Sequence, residues 1–342
     1  MSPPYYSQNG SFSVGNSVAV YTQLNDNEMQ SLVEQFDLGQ LVSYKGIEGG
    51  IENTNYFVTL DKAGTTSEFV LTIFEEFGMD DMPFFVELTT WLAERGLAVP
   101  SPFQDQNGIA LKKIHGRPAL LQPRFYGHHV AQADLTPAHC ASIGAQLAQF
   151  HIAGENFYLR RQAHRGVFWW RRESHNIQRH LSREEGELLL QEVRLFDELR
   201  EQPWGLPMGI IHGDLFHDNA LFEGEEVSAI LDVYNAATAF WLFDLAIVAN
   251  DWCTRPDGSI DLEREAALLA AYHKIRPFTD DEHKAWPQMA RTAAMRFWLS
   301  RLIPACGIAQ ENRQGGDMVI KDPDELKRIL LQRINQPTDL PA

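Results

Sequence analysis

Three side chains in the second half of the chain stand at spacings that suit chemistry on a phosphate. The stretch Ile210-Ile211-His212-Gly213-Asp214-Leu215-Phe216-His217-Asp218-Asn219 sets an amide five positions after a carboxylate, and Ala229-Ile230-Leu231-Asp232 brings a second carboxylate eighteen positions after the first. Phosphoryl transfer needs a carboxylate to accept the proton of the attacking hydroxyl. It also needs oxygen ligands that hold a divalent cation against the nucleotide phosphates. A loop of the form H-x-D-x-x-x-x-N followed by a strand ending in Asp supplies all three from one loop and one hairpin. Asp214 is the candidate base, and Asn219 and Asp232 are the candidate magnesium ligands. An isolated His-Gly-Asp is more simply a turn beside a buried histidine, because Gly and Asp are turn formers. The Asn at the fifth position, an apolar strand on each side and the later Asp argue against that simpler account.

A second group lies far upstream. Lys45-Gly46-Ile47-Glu48-Gly49-Gly50-Ile51-Glu52-Asn53-Thr54-Asn55-Tyr56 reads as a glycine-containing loop ahead of a strand. Small residues there let backbone N–H groups approach phosphates, and Asn or Thr side chains add donors. Gly49, Gly50, Asn53 and Thr54 are the candidate nucleotide contacts, with an ordinary hairpin turn as the alternative.

The elements around these residues follow from pattern. Asn53 to Leu60 and Glu68 to Phe74 are β-rich runs around Asp61-Lys62-Ala63-Gly64, a hairpin signal. Asp81-Met82-Pro83 starts a helix that Gly96 stops, and a second hairpin spans Ile109 to Gln122, turning at His115-Gly116-Arg117. Beyond Gly127 the pattern turns helical. Thr136-Pro137 caps one helix, Arg183 to Arg200, Leu262 to Ile275 and Trp286 to Leu302 make others, and one strand-like patch runs from Gly209 to Tyr234. The expectation is an α+β chain in two lobes: residues 18–123 as a small, mainly antiparallel-sheet lobe and 124–337 as a larger helical one. Residues 1–17, rich in Ser, Pro, Gly and Asn and without a charged side chain, are expected to be a disordered tail.

Composition narrows the partners. Lys and Arg number 29 against 46 Asp and Glu, a formal charge of −17, which suits neither a general nucleic-acid binder nor an anionic membrane surface. No apolar run approaches the roughly 20 residues of a membrane span. Cys140, Cys253 and Cys306 form no C-x-x-C, and no helical H-x-x-x-H occurs despite His128-His129 and 12 histidines in all. A disulfide framework, structural zinc and zinc hydrolysis are therefore disfavoured, and a cytoplasmic location is expected. Phe168-Trp169-Trp170 resembles an aromatic cage for quaternary ammonium only superficially; core packing is the commoner reason for such a run.

His212-Gly213-Asp214-Leu215-Phe216-x-Asp218-Asn219 with Ile230-Leu231-Asp232 resembles the catalytic loop of aminoglycoside-phosphotransferase-like kinases, which share the two-lobed protein-kinase fold. Within that superfamily the chain is similar to bacterial homoserine kinases. The matching segments include Gly49 to Val58, Phe69 to Thr72, Met82 to Phe85, Gly116 to Ala119, Asp232 to Ala236, Phe243 to Ala246, Asn250 to Cys253, Arg296 to Leu302 and Lys321 to Pro323. The resemblance covers roughly Val18 to Pro337. It implies ATP as phosphoryl donor, a small amino acid as acceptor, Mg²⁺ held by Asn219 and Asp232, and Asp214 orienting the acceptor hydroxyl. It implies that Asp244 braces the catalytic loop. Another small-alcohol kinase of the same fold, for choline, a sugar or an aminoglycoside, is the rival reading, and a nucleotide-binding pseudokinase a more distant one.

One position departs from the general kinase pattern. The strand Phe69 to Phe74 carries Thr72 where a kinase has its phosphate-binding lysine, a departure that homoserine kinases of this type share. Lys45, bordering the glycine loop, is the candidate for the missing cation, with a solvated surface lysine as the alternative. A zwitterionic acceptor needs one cation and one carboxylate. Asp251 and Arg296 are the candidates, whereas Arg301, five positions on, better fits a buried structural ion pair.

Overall fold

The structure, a computed structural model, describes residues 21–47, 53–308 and 321–342; the expected tail at 1–17 lies outside them, as do Gly49 and Gly50. The chain divides into two compact units, the first running to His128 and the second from His129.

The first unit opens with α1 (Asp26–Val33), which the sequence pattern did not announce. Asn25 and Glu28 form a capping box, each side chain accepting the other's backbone N–H at 3.0 and 2.9 Å. Two of the orphan donors of the first turn are thereby satisfied. Then come β1 (Gln40–Gly46), β2 (Asn53–Lys62), β3 (Thr65–Phe74), α2 (Met82–Glu94), β4 (Lys112–Ile114) and β5 (Arg117–Pro123). The strands form one antiparallel sheet in the order β1-β2-β3-β5-β4. Both expected hairpins are present. Each turns on two successive residues of positive φ, Ala63-Gly64 (56° and 83°) and His115-Gly116 (46° and 84°), the backbone that matches strand twist in a two-residue loop.

Side-chain alternation gives this sheet two unlike faces. Tyr56, Val58 and Leu60 of β2, Leu71 and Ile73 of β3, and Ala119 and Leu121 of β5 pack with Met29, Leu32 and Val33 of α1 into one core. Asn53, Asn55, Phe57 and Thr59 lie on the other face and stay partly exposed. Each large apolar side chain buried this way contributes about 1.5–3 kcal/mol.

The second unit contains α3 (Pro137–Gly154), α4 (Val167–Asn176), α5 (Arg183–Glu201), β6 (Met208–Ile211), β7 (Ala220–Glu223), β8 (Glu226–Ile230), β9 (Ala237–Phe240), α6 (Trp241–Trp252), α7 (Leu262–Ile275), α8 (Asp280–Ala305) and α9 (Pro323–Asn335). Two antiparallel strand pairs, β6 with β9 and β7 with β8, are set among the helices. Helix α6 is buried along its whole length, from Trp241 to Trp252. Helix α8 starts earlier than the apolar pattern suggested, at a Thr279–Glu282 capping box. It continues through Pro287 and Pro304 because Trp286, Met289, Ala293, Phe297, Trp298 and Leu302 bury its flanks. Trp170 packs on Phe196 and Phe243, so the aromatic run of α4 contributes a core side chain, while Phe168 faces solvent. No helix among the described residues is long and apolar enough to cross a membrane.

Candidate active site

The loop after β6 and the β7–β8 hairpin bring the three chemical residues together within the second unit. Asn219 directly precedes β7 and Asp232 closely follows β8. The ladder pairs Ala220 with Ile230, and its next rung is the Leu231 N–H donating to the Asn219 carbonyl at 2.9 Å. Asn219 also reaches back: its Nδ2 donates to the Asp214 carbonyl at 2.8 Å, which turns its Oδ1 the other way. The Phe216 N–H donates to that same Asp214 oxygen at 2.9 Å.

His212 ties loop to hairpin. Its ring is fully buried, and Nε2 lies 2.8 Å from the Leu231 carbonyl, the residue before Asp232. A carbonyl only accepts, so Nε2 carries the proton. Nδ1 is then the acceptor for the Asp214 N–H at 3.3 Å. That requires a neutral ring, and burial does push the His212 pKa down, past the opposing pull of the Asp244 charge.

Asp244, in the first turn of α6, braces the loop from behind. Its Oδ2 accepts the His212 N–H at 2.7 Å and its Oδ1 the Gly213 N–H at 2.8 Å. His151 Nε2 lies 3.0 Å from Oδ2, and His151 Nδ1 lies 2.7 Å from the Tyr272 hydroxyl. Burial alone would raise the Asp244 carboxyl; the hydrogen bond from His151, the fields of the two histidines and the Gly213 N–H outweigh it and hold the pKa below the ordinary carboxylate value. An ionised Asp244 fixes the tautomer of His151, which donates through Nε2 and accepts the Tyr272 proton at Nδ1. Nothing in the sequence pattern singled out His151 or Tyr272, because each sits on a helix face that reads as ordinary core.

Gly213 is required by geometry. It holds φ +80°, and a Cβ there would stand 2.8 Å from the Asn235 carbonyl oxygen, a backbone atom. Gly213→Ala is expected to cost about 1–2 kcal/mol for the left-handed conformation alone. The displaced loop should lower kcat about tenfold, roughly 1.4 kcal/mol of barrier. Thermal unfolding and steady-state assays on the same preparation check both; wild-type values in each would show that the loop tolerates the added carbon.

Asp251, near the end of α6, is buried and accepts twice at Oδ2 from His217, from its backbone N–H and from ring Nδ1, both at 2.7 Å. Burial lowers the His217 pKa, but the Asp251 charge and hydrogen bond overcome it and leave the pKa raised. Asp251 also lines a narrow cleft, with room for about one water, together with Phe216, Phe297 and Arg301. Arg296 is placed differently. It is buried, its Nη1 donates to Ser300 Oγ at 2.9 Å, and its guanidinium lies 3.9 Å from the centroid of the Phe297 ring. Arg301, expected in an ion pair, makes one with Glu325.

In the first unit, Lys45 is exposed on β1, opposite Phe57. Asn53 opens β2 on the sheet's partly exposed face, whereas Thr54 points to the buried one. There the Thr54 hydroxyl donates to Glu75 Oε1 at 2.6 Å and accepts the Thr22 N–H at 3.1 Å. Glu75 also accepts from Thr22 and pairs with Arg117 at 2.9 Å. At the kinase-lysine position, Thr72 is buried and donates to Asn55 Oδ1 at 2.7 Å.

The chain is similar to known proteins along most of its length. The family profile described as "Phosphotransferase enzyme family" (APH) matches residues 43–278. The homoserine kinase of Pseudomonas aeruginosa (strain LESB58) is 41% identical over 327 residues, covering 95% of this chain and 99% of that protein. That of Janthinobacterium sp. (strain Marseille) is 39% identical over 324 residues, covering 94% and 98%. Among solved structures, an amicoumacin kinase in complex with AMP-PNP and Ca²⁺ superposes with a TM-score of 0.67 at 16% identity, covering 93% of this chain and 96% of the other. A choline kinase from Cryptosporidium parvum gives 0.62 at 13%, covering 91% and 95%. At such low identity these last two show the fold, which is that of the two-lobed kinases. With the profile spanning most of the chain and full-length relatives at about two-fifths identity, this protein belongs to the APH phosphotransferase family, in its homoserine kinase branch.

Proposed function

We propose that the protein transfers the terminal phosphoryl group of ATP to the side-chain hydroxyl of L-homoserine, giving O-phospho-L-homoserine and ADP. The observation that carries this reading is the near-full-length similarity to homoserine kinases, at 41% identity, of a chain whose Asp214, Asn219 and Asp232 stand on one hydrogen-bonded loop and hairpin. In the transfer, a bond forms between the homoserine oxygen and the γ-phosphorus as the bond from that phosphorus to the β–γ bridging oxygen breaks. The hydroxyl proton passes to the Asp214 carboxylate. That carboxylate's main work is to hold the hydroxyl in line, since little covalent chemistry falls to the protein.

An amide oxygen and a carboxylate are hard donors of the kind Mg²⁺ takes beside phosphate oxygens, so the Asn219–Asp232 set fits that ion. When bound, Mg²⁺ neutralises charge developing on the phosphates. Lys45 and Asn53, with Gly49 and Gly50, are assigned to the nucleotide. Thr54's hydroxyl serves Glu75 instead. Asp251 is assigned to the acceptor.

An ADP-release assay with homoserine, choline and kanamycin at matched concentrations tests the reading, with and without Mg²⁺. Homoserine should support turnover at a kcat/KM at least about tenfold above the other two, a difference of roughly 1.4 kcal/mol. EDTA should abolish it. Faster turnover of choline or kanamycin would move the protein to another branch of the family, and ATP binding without transfer to any alcohol would make it a pseudokinase.

A further inference from the structure

We infer that Asp251 and Trp252 are positioning residues for the transfer: they fix the downstream half of the catalytic loop, as Asp244 fixes the upstream half. Helix α6 thus holds Asp214 between two clamps. The inference rests on the transfer reading above and deepens it.

Asp244 and Asp251 stand seven residues apart on α6, two turns and about 10.5 Å along the axis, and so on one face of the helix. The loop is tied along that length. Asp244 takes the N–H groups of His212 and Gly213. Beyond Asp214, the Trp252 indole Nε1–H donates to the Leu215 carbonyl at 3.0 Å, and Asp251 Oδ2 accepts the His217 N–H at 2.7 Å. Four backbone groups between His212 and His217 are therefore bound to side chains of one helix, two before Asp214 and two after it. Apart from these ties, the backbone after Asp214 rests on bonds within the loop. They are the Phe216 N–H to the Asp214 carbonyl and the Asn219 N–H to the Phe216 carbonyl, both at 2.9 Å. A displacement of about 1 Å at a reacting group can cost about 10²-fold in rate, so ties this close to the candidate base bear on transfer as well as on folding.

The clamp has a fixed base. Asp251 and Trp252 are both buried, Trp252 completely. Gln132 Nε2 donates to the Asp251 carbonyl at 3.0 Å. The preceding Asn250 donates to the Ala290 carbonyl of α8 at 2.8 Å and accepts from the buried Arg333 of α9 at 2.9 Å. The Trp252 ring also packs against Phe222 of β7, with centroids 5.8 Å apart, so one indole touches the loop and the hairpin that carries Asn219 and Asp232 at its ends. Trp298 of α8 offers a contrast. It is equally buried, yet its Nε1 has no hydrogen-bond partner among the described residues, so its ring fills space without tying the loop.

The experiment compares Trp252→Phe, which keeps an aromatic ring but removes the indole N–H, with Trp298→Phe, which makes the same reduction where no hydrogen bond is lost. Both are assayed for ADP release and for amide hydrogen exchange under conditions where each is fully folded. Trp252→Phe is expected to lower kcat about tenfold with the KM values for ATP and homoserine within about threefold of wild type. The Phe216 and Asn219 amides should exchange at least about tenfold faster. Trp298→Phe should keep kcat and both exchange rates within about threefold of wild type, whatever it costs in stability. Asp251→Ala, which removes the other tie, should also lower kcat at least about tenfold, whatever happens to the KM for homoserine. Wild-type kcat and exchange in Trp252→Phe would overturn the inference. So would a Trp298→Phe enzyme that reproduces the losses of Trp252→Phe, or an Asp251→Ala enzyme changed in KM alone. A wild-type protein that phosphorylates no alcohol would instead overturn the functional reading, and the exchange rates would still decide whether α6 clamps the loop.

Discussion

An Asp214→Asn enzyme is expected to lose about 10²–10⁴ in kcat while keeping KM values for ATP and homoserine close to wild type. The amide is nearly isosteric with the carboxylate but cannot take the acceptor's proton or orient its hydroxyl through a charged acceptor. The change leaves the loop's backbone contacts at this residue in place: the Asp214 carbonyl accepts from Phe216 and Asn219, and its N–H faces His212 Nδ1. A fall in kcat at constant KM is the signature of an interaction made in the transition state and absent from the ground state. Single-turnover phosphoryl transfer at saturating substrates is the appropriate measurement. Activity within tenfold of wild type would remove Asp214 from the chemistry.

The second large effect falls on stability. Asp244→Ala should lower the free energy of unfolding by about 3–5 kcal/mol, as expected when one partner of a buried polar network is deleted. Three donors lose their acceptor at once, namely the N–H groups of His212 and Gly213 and the Nε2–H of His151. The two backbone donors belong to a loop too constrained to find new partners, and each orphaned group costs about 1–3 kcal/mol. Urea titration with an unchanged m-value would report this directly. A loss under about 1 kcal/mol would mean that water or a neighbour replaces the carboxylate. The pH dependence has a definite sign. Since the folded pKa of Asp244 is lowered, its contribution is complete above the unfolded value of about 3.9 and disappears as pH falls through the folded value. The difference between wild type and variant should therefore narrow only under strong acid. Both proteins should weaken earlier, below about pH 6.5, where the unfolded chain protonates histidines such as His212 that the fold keeps neutral.

The chemistry-bearing residues were legible because a loop motif and a two-strand hairpin are local objects. Residues five and eighteen positions apart can be placed together without knowing anything beyond the turn between them. The β2–β3 hairpin was legible for the same reason. What escaped was either weakly patterned or nonlocal. Strand β1 pairs on one side only and buries none of its residues fully, so it carries no strong alternation. Helix α1 is short, and its signal was the Asn25–Glu28 box more than its apolar positions. The facing of Thr54 was available: Tyr56, Val58 and Leu60 share its parity, and a strand side chain two, four and six residues ahead of core positions faces the core. The two arginines of α8 were harder. The helix is buried on several sides, so periodicity does not tell which cation turns toward Ser300 and which toward the cleft. That difference is set by α9 and Asp322, contacts more than twenty residues away in sequence.

The backbone of Asp232 has a consequence for how this protein can change. It sits at φ 55°, ψ 51°, a left-handed conformation that costs an ordinary L-residue about 1–2 kcal/mol and costs glycine almost nothing. Asp tolerates the region better than most, yet glycine would relax it further. A screen that rewards heat tolerance alone would thus favour discarding this carboxylate, whereas growth that depends on the product would retain it. Given the metal role proposed for Asp232, the two selections pull one codon in opposite directions.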